Sequence, residues 1–273
     1  LAETGGIAMG DGDPIPFAAV PTTLAGADLS IIAGISASAD GGLIDEDVGG
    51  GLSHPELMPT GIFYDPAIVA TPKSILAGSA LNGFNKGLET IYSKNATPIT
   101  DATAAHGIER MADGLRDLAD EEPSAEVLEP VVEGLLLVQY GIGRPGVTTL
   151  SLMHAFGHTL RDGFNIQQGT AHAVITPDGL RYLFSQVDGR RELLADALGV
   201  GEAEDKAEAV AVAVAEIRDD LDLPSRLRDL PNADRSKLPD IAAATIADSV
   251  MAHGPEGLDA TVEDIEELLE NAW

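Results

Sequence analysis

The sequence predicts an α+β protein in which a small β-rich segment, residues 1–71, precedes a predominantly α-helical domain, residues 72–273. Short β-prone runs separated by Gly and Pro clusters fill the first segment, whereas apolar residues recur with a helical period after Pro72. A length of 273 residues, of which 44% are hydrophobic, is enough for a substantial core. Because the chain has no cysteine, a disulfide-stabilised secreted scaffold is excluded.

The individual elements follow from the same two patterns. β-prone runs cover residues 15–21, 29–36 and 61–64. Helical periodicity covers residues 74–93, 101–118, 124–140, 147–162, 170–184 and 201–223, and shorter helical segments continue to Trp273. Thr100 or Asp101 is the expected cap of the second helix, and Pro145-Gly146 separates the third helix from the fourth.

The excess of acidic over basic residues excludes some classes of binding partner. The chain carries 16 Lys and Arg against 45 Asp and Glu, a formal net charge of -29 that is spread over its whole length. Such a charge repels nucleic-acid phosphates and anionic lipids, so neither nucleic acid nor a membrane is an expected partner. No apolar stretch is long enough for a membrane span, and the start of the chain lacks the pattern of a signal peptide, so we expect a cytoplasmic protein.

Two histidines are the first candidates for chemistry. His154 and His158 lie four residues apart on a predicted helix, so both imidazoles project from one face and are able to share a metal ion or a substrate proton. Zinc-protease chemistry is disfavoured, because Ala155 stands where the H-E-x-x-H motif needs a glutamate. The alternative is two structural histidines packed between helices.

Two more pairs of polar residues have the same spacing. Asn85 and Glu89 lie on the first long helix, and Gln168 and His172 lie at the start of a later helix. Each pair stands among apolar neighbours, and buried polar groups need partners. Two alternatives follow: a site in which these side chains converge, or ordinary hydrogen bonds within the core.

Several sequence blocks carry a resemblance to a known family. They are PTTLAGAD from Pro21, YDP from Tyr64, GFNKGLETIYS from Gly83, MHAFGHTLRDGFNIQQGTAHAV from Met153, and the C-terminal LDLPSRLRDL with KLPDIAAATIADS. In this order the blocks resemble the iron-containing (group III) alcohol dehydrogenase family, which is related to glycerol dehydrogenase and dehydroquinate synthase. The resemblance implies that residues 1–71 are the C-terminal remnant of a nucleotide-binding domain. It implies that residues 72–273 are the family's all-helical dehydrogenase domain.

The resemblance also implies a cofactor. Thr22, Thr23 and Gly26 match the family segment that lines the nicotinamide cleft, which implies NAD or NADP as cofactor. The family's pyrophosphate-binding loop lies upstream of that segment. We therefore expect a nucleotide-binding half before Leu1, and a chain without such a half is the alternative.

The family's metal-ligand positions carry different residues in this chain. They hold Asn85, Glu89, His154 and Gln168, where the family has one Asp and three His. Amides are poor ligands for these metals, so neither Zn nor Fe is expected in the family's usual pose. One alternative keeps a metal, because His172 lies a helical turn beyond Gln168 and is able to join Glu89 and His154 as a substitute ligand.

The predicted function is an NAD(P)-dependent oxidoreductase that interconverts a small-molecule alcohol and a carbonyl compound without a metal. His158 is expected to carry the proton, and His154 is expected to orient the substrate oxygen by a hydrogen bond. The resemblance implies a homo-oligomer. The alternative function is a non-catalytic binding or structural homologue that has lost the metal and nucleotide sites.

The acidic surface generates a prediction about salt. A net charge of -29 on 273 residues resembles the solvated surface of a halophile's protein, whose self-repulsion only concentrated salt screens. We expect the melting temperature to fall steeply as potassium chloride is lowered from molar to millimolar concentration, as measured by circular dichroism. A melting temperature that does not change over this range would contradict the prediction.

Overall fold

The computed structural model describes residues 15–37, 48–144 and 146–273. The chain divides into two compact units. The first contains the described residues of Leu1–Pro21 and Ala27–Phe63, and the second consists of Thr22–Gly26 and Tyr64–Trp273. The domain boundary predicted at residue 71 stays a prediction.

The first unit contains short strands. Strand β1 (Ala18–Ala19) pairs in parallel with β4 (Gly61–Ile62), and β2 (Ile32–Ala37) pairs antiparallel with β3 (Val48–Ser53). Three of these strands, β1, β2 and β4, overlap the runs that the sequence predicts as β-prone. The few strands and the many helices agree with the predicted α+β composition.

The second unit is helical, as the sequence predicts. Its helices are α1 (Lys73–Tyr92), α2 (Pro98–Asp120), α3 (Ala125–Ile142), α4 (Leu152–Phe164), α5 (Gln168–Gln186), α6 (Arg191–Ala197), α7 (Lys206–Asp220), α8 (Leu238–Ala247) and α9 (Val262–Asn271). Helix α1 is buried on every side from Leu76 to Tyr92, apart from the half-buried Asn82. A helix that is buried all round is the centre of its unit, and α1 packs against α2, α3, α4 and α5. No helix within the described residues has both the length and the hydropathy of a membrane span.

One close contact brings α5 onto α1. A Cβ atom added to Gly169, in the first turn of α5, would lie 1.6 Å from the backbone oxygen of Gly78 in α1. Any larger residue at this position would therefore force the two helices apart. This approach sets the N-terminal half of α5 beside the polar residues of α1.

Several helices begin at residues other than those predicted, and the largest differences are those of α2, α4 and α7, the last of which begins at Lys206 rather than at residue 201. Helix α2 begins at Pro98 because the hydroxyl of Thr97 accepts a hydrogen bond from the backbone N–H of Thr100 and so caps the helix. Helix α4 begins at Leu152, not at residue 147. The residues just before Leu152 do not form a helical turn and contact α1 instead: the hydroxyls of Thr149 and Thr90 lie 2.8 Å apart in the core.

Candidate active site

Three helices bring polar side chains together in the middle of the second unit. Helix α1 supplies Asn85 and Glu89, α4 supplies His154, and α5 supplies His172 and Thr176. All five side chains are buried, with at most 2% of each residue exposed, and we refer to them as the histidine cluster. The three polar pairs that the sequence singles out thus contribute to one cluster, although Gln168 is only half-buried and lies at its edge.

Glu89 forms the cap of α4. Its Oε1 accepts hydrogen bonds from the backbone N–H of Ser151 at 3.0 Å and from that of His154 at 3.1 Å. The first N–H groups of a helix have no partner inside the helix, and Ser151 makes no side-chain cap of its own. A carboxyl group from α1 therefore replaces the local cap, which explains why α4 begins at Leu152.

The other oxygen of Glu89 meets a histidine. Glu89 Oε2 and His154 Nδ1 are joined by a short hydrogen bond. Burial raises the pKa of Glu89 to about 7, although hydrogen bonds from backbone N–H groups partly offset this shift. Burial also lowers the pKa of His154 well below its usual value, and the positive charge of Lys86 adds to that effect. Because burial favours the neutral form of both groups, the contact is a hydrogen bond that shares one proton rather than an ion pair.

A second network fixes His172. Its Nδ1 lies 2.8 Å from the side-chain nitrogen of Asn85, which also donates to the hydroxyl of Thr176 at 2.9 Å. Burial is the main reason why the pKa of His172 is well below its usual value. The neutral imidazole accepts the amide hydrogen of Asn85 at Nδ1, and its ring packs edge-on against that of His154, with the ring centres 4.6 Å apart.

The histidine cluster does not fit a metal ion of the family type. Both oxygens of Glu89 bind protein groups, and Nε2 of His154 lies 3.1 Å from the side-chain oxygen of Asn82. Nδ1 of His172 meets Asn85, and its Nε2 lies 3.4 Å from the amide nitrogen of Gln168. Within the described ranges, no three or more His, Asp or Glu side chains are arranged so that they could hold a metal ion. The expectation that neither Zn nor Fe binds in the family's usual pose, and the alternative in which His172 completes a metal site, both stay predictions.

His158 lies one turn after His154 but in a different environment. Its side chain is 32% exposed, and its Nδ1 lies 2.8 Å from Oδ2 of Asp248. The rings of His154 and His158 cross at a steep angle, with centres 6.2 Å apart. Helix α4 therefore presents one buried and one accessible imidazole on the same side, as their spacing predicts.

The predicted cofactor segment belongs to the helical unit. Thr71 donates to the backbone oxygen of Thr22 at 2.6 Å, and the N–H of Leu24 donates to the hydroxyl of Ser79 at 3.0 Å. Nζ of Lys86, in the turn of α1 between Asn85 and Glu89, donates to the oxygen of Ala25 at 2.8 Å. Thr22–Gly26 and the histidine cluster are thus both held by α1.

The outer residues of that segment keep accessible hydroxyls. Thr22 is exposed and Thr23 is half-buried, whereas Gly26 is buried with a positive φ of 67°. A Cβ atom on Gly26 would lie 3.0 Å from Leu135, so a glycine is needed where the segment turns against α3. Their binding of a cofactor stays a prediction.

Sequence reasoning missed some residues of this region. Thr176 continues the spacing of Gln168 and His172 by one more turn, so the same helical pattern could have identified it. Ser151 and Asp248 have no such signal, because their partners Glu89 and His158 lie 62 and 90 residues away in the chain.

Sequence comparison relates the chain to known oxidoreductases. Residues 76–273 match the profile of the Fe-containing alcohol dehydrogenase family, C-terminal. Maleylacetate reductase from Pseudomonas aeruginosa is 27% identical over 217 residues, which cover 79% of this chain and 56% of that protein. Lactaldehyde reductase from Escherichia coli K12 is 27% identical over 227 residues, which cover 80% of this chain and 56% of that protein. The chain spans about half the length of the curated relatives it matches.

The fold is also similar to that of solved structures. Sulfoacetaldehyde reductase from Bifidobacterium kashiwanohense, solved in complex with NAD+, aligns with a TM-score of 0.79 at 18% identity. The alignment covers 94% of this chain and 65% of that chain. At this identity the similarity concerns the fold alone, and it confirms the helical domain that the sequence predicts.

The cap on α4 generates a prediction. Glu89→Ala removes the acceptor of two buried N–H groups and is expected to lower the free energy of unfolding by roughly 3 kcal/mol or more. Glu89→Gln keeps an acceptor oxygen and can donate to His154 Nδ1, so we expect it to cost roughly 1 kcal/mol or less near pH 7. Urea unfolding in molar potassium chloride measures both values. Equal losses in the two variants would show that the hydrogen bonds to the backbone of α4 do not stabilise the protein.

Proposed function

The chain belongs to the Fe-containing alcohol dehydrogenase family, as its sequence blocks predict, and on this premise we propose that the protein is an NAD(P)-dependent oxidoreductase that interconverts an alcohol and a carbonyl compound without a metal. The observation that carries the proposal is the pair of histidines on α4. One is buried and fixed by Glu89, and the other is accessible and held by Asp248.

The two histidines suit two different tasks. His158 is accessible enough to exchange a proton with a substrate and with solvent, and histidine is the common residue for such proton transfer. His154 is neutral, and its Nε2 lies 3.1 Å from the side-chain oxygen of the half-buried Asn82, so in this proposal a substrate oxygen replaces Asn82 as the acceptor of the Nε2 hydrogen. Both tasks fit a reaction in which an alcohol loses, or a carbonyl gains, one proton at oxygen.

The proposed hydride transfer uses a nicotinamide, and Thr22–Gly26 is the segment that we propose to contact it. Bound NAD or NADP would supply the hydride acceptor or donor. Thr22 and Thr23 carry hydroxyls that can hydrogen-bond an amide, and Ser79 and Lys86 of α1, the helix that also carries Asn85 and Glu89, hold their segment. The proposal includes the β-rich unit as the C-terminal part of a nucleotide-binding domain.

Metal independence is part of the proposal. Both oxygens of Glu89, both ring nitrogens of His154 and Nδ1 of His172 are engaged in hydrogen bonds within the protein, and two family ligand positions carry amides, Asn85 and Gln168. Polarisation of the substrate oxygen then depends on hydrogen-bond donors. A small alcohol or carbonyl compound is the proposed substrate class.

An assay of the native protein in molar salt tests this function. We expect oxidation of alcohols by NAD+ or NADP+, or reduction of carbonyl compounds by the reduced cofactors, to persist after prolonged treatment with EDTA. His158→Ala is expected to lower kcat by about 10²–10⁴-fold, the usual contribution of a proton-transfer group. His106→Ala is the matched control, because His106 is exposed on α2 and, within the part of the chain that the structure describes, its hydrogen-bond and ion-pair partner is the exposed Glu109.

Two outcomes would contradict the proposal. Activity that disappears with EDTA and returns with zinc or iron would favour a metal site completed by His172. Absence of NAD(P) binding by the native protein would favour the alternative of a non-catalytic binding or structural homologue.

A further inference from the structure

We propose that Asp248 is the positioning residue for proton transfer, because it fixes the ring orientation and tautomer of His158 so that Nε2 can take up the substrate proton. The inference rests on the proposed function of His158, and no sequence motif pointed to it. The observation behind it is the 2.8 Å contact between His158 Nδ1 and Asp248 Oδ2.

The two oxygens of Asp248 have separate partners. Oδ1 accepts the backbone N–H of Val250 at 3.0 Å and so caps the short 3₁₀ turn Ser249–His253. Oδ2 is the oxygen that meets His158. The side chain of Asp248 is 16% exposed, so one rigid carboxylate is fixed by its own turn and also fixes the imidazole.

Contacts on both sides hold this geometry. The N–H of Asp248 donates to the oxygen of Thr245 at 3.2 Å, at the end of α8. The hydroxyls of Thr245 and Thr159 lie 2.8 Å apart, and Thr159 follows His158 directly on α4. Helix α8 is thus tied to α4 beside the contact between Asp248 and His158.

The 3₁₀ turn is also tied to the helix that carries the histidine cluster. The hydroxyl of Ser93, the residue after α1, donates to the backbone oxygen of His253 at 3.0 Å. The end of α1 and the end of α8 are therefore linked through the same turn that Asp248 caps. Asp248 lies at a fixed junction rather than on a free loop.

The contact with Asp248 determines which ring nitrogen of His158 carries the hydrogen. An ionised carboxylate only accepts hydrogen bonds, so Nδ1 of the neutral His158 must carry the hydrogen and Nε2 must carry the lone pair. Bound NAD+ or NADP+ would accept the hydride from the alcohol carbon, and the hydroxyl proton would pass to Nε2 of His158, which leaves a carbonyl group. The imidazolium that results lies beside the negative charge of Asp248, which stabilises it. In the reverse direction, Nε2–H returns the proton to the oxygen.

Two substitutions separate this role from a structural one. Asp248→Asn and Asp248→Ser both keep a side-chain oxygen for the N–H of Val250, so the cap of the turn remains. The amide of Asn donates to Nδ1 and moves the hydrogen to Nε2, whereas Ser leaves Nδ1 free to bind water. We expect Asp248→Asn to lower kcat by about 10²–10⁴-fold with KM changed less than about threefold, and Asp248→Ser to lower kcat by a smaller factor.

A spectroscopic readout does not depend on finding the substrate. The ¹⁵N spectrum of histidine-labelled native protein in molar salt, at a pH where His158 is neutral, should show hydrogen on Nδ1 of His158. In Asp248→Asn the hydrogen should be on Nε2, and the melting temperature should stay within a few degrees of the native value.

The failures of the two proposals are distinguishable. If the native protein is active and His158→Ala is not, but Asp248→Asn keeps its kcat within threefold, the inference about Asp248 is overturned. A native spectrum with hydrogen on Nε2 overturns it as well, whatever the assay finds. If the spectra behave as expected but no NAD(P)-linked activity is found, the positional role stands and the proposed function fails.

Discussion

A carboxyl group with no exposed surface, that of Glu89, is the constraint on which the second unit depends. Burying such a group is unfavourable unless hydrogen bonds compensate for the lost water. Two backbone N–H groups of the α4 start, one imidazole and, at longer distances, the hydroxyls of Tyr92 and Ser151 supply those bonds. The same contacts determine that α4 begins at Leu152, and they hold His154 in place. Local structure, packing and the chemistry of the site are therefore determined by one side chain of α1.

The same constraint explains why the site differs from a metal centre. A metal ion compensates a buried carboxylate with positive charge, whereas in this chain hydrogen bonds and a shared proton do so. His172 is neutral and bonded to an amide, so it adds no charge to the cluster. In the proposed function, a site with so little net charge acts on a substrate through oriented hydrogen bonds, and the accessible His158 is proposed to supply the mobile proton.

Much of the fold could be predicted from the sequence, because helical periodicity is a local signal. It located α1 to within a residue at each end, and the spacing of four residues identified Asn85, Glu89, His154 and His172, although not Thr176. The start of α4 was predicted five residues early, because it depends on a contact between Glu89 and Ser151 that no local pattern encodes. Asp248 was missed for the same reason. Acidic residues are so common in this chain that a single Asp does not by itself indicate a functional position.

The pH dependence of stability tests the role of Glu89 most directly. With the pKa raised from 4.5 to about 7 in the folded protein, Glu89 binds its proton more tightly when folded, so its contribution to stability is greatest below pH 4.5 and is lost as the pH rises through 7. The free energy of unfolding of the native protein, minus that of Glu89→Gln at the same pH, should therefore fall by about 3 kcal/mol between pH 4.5 and 8. The difference cancels the titration of other groups. A difference that rises with pH would mean that Glu89 is held as an ionised carboxylate, and it would contradict the account of a neutral, proton-sharing cluster.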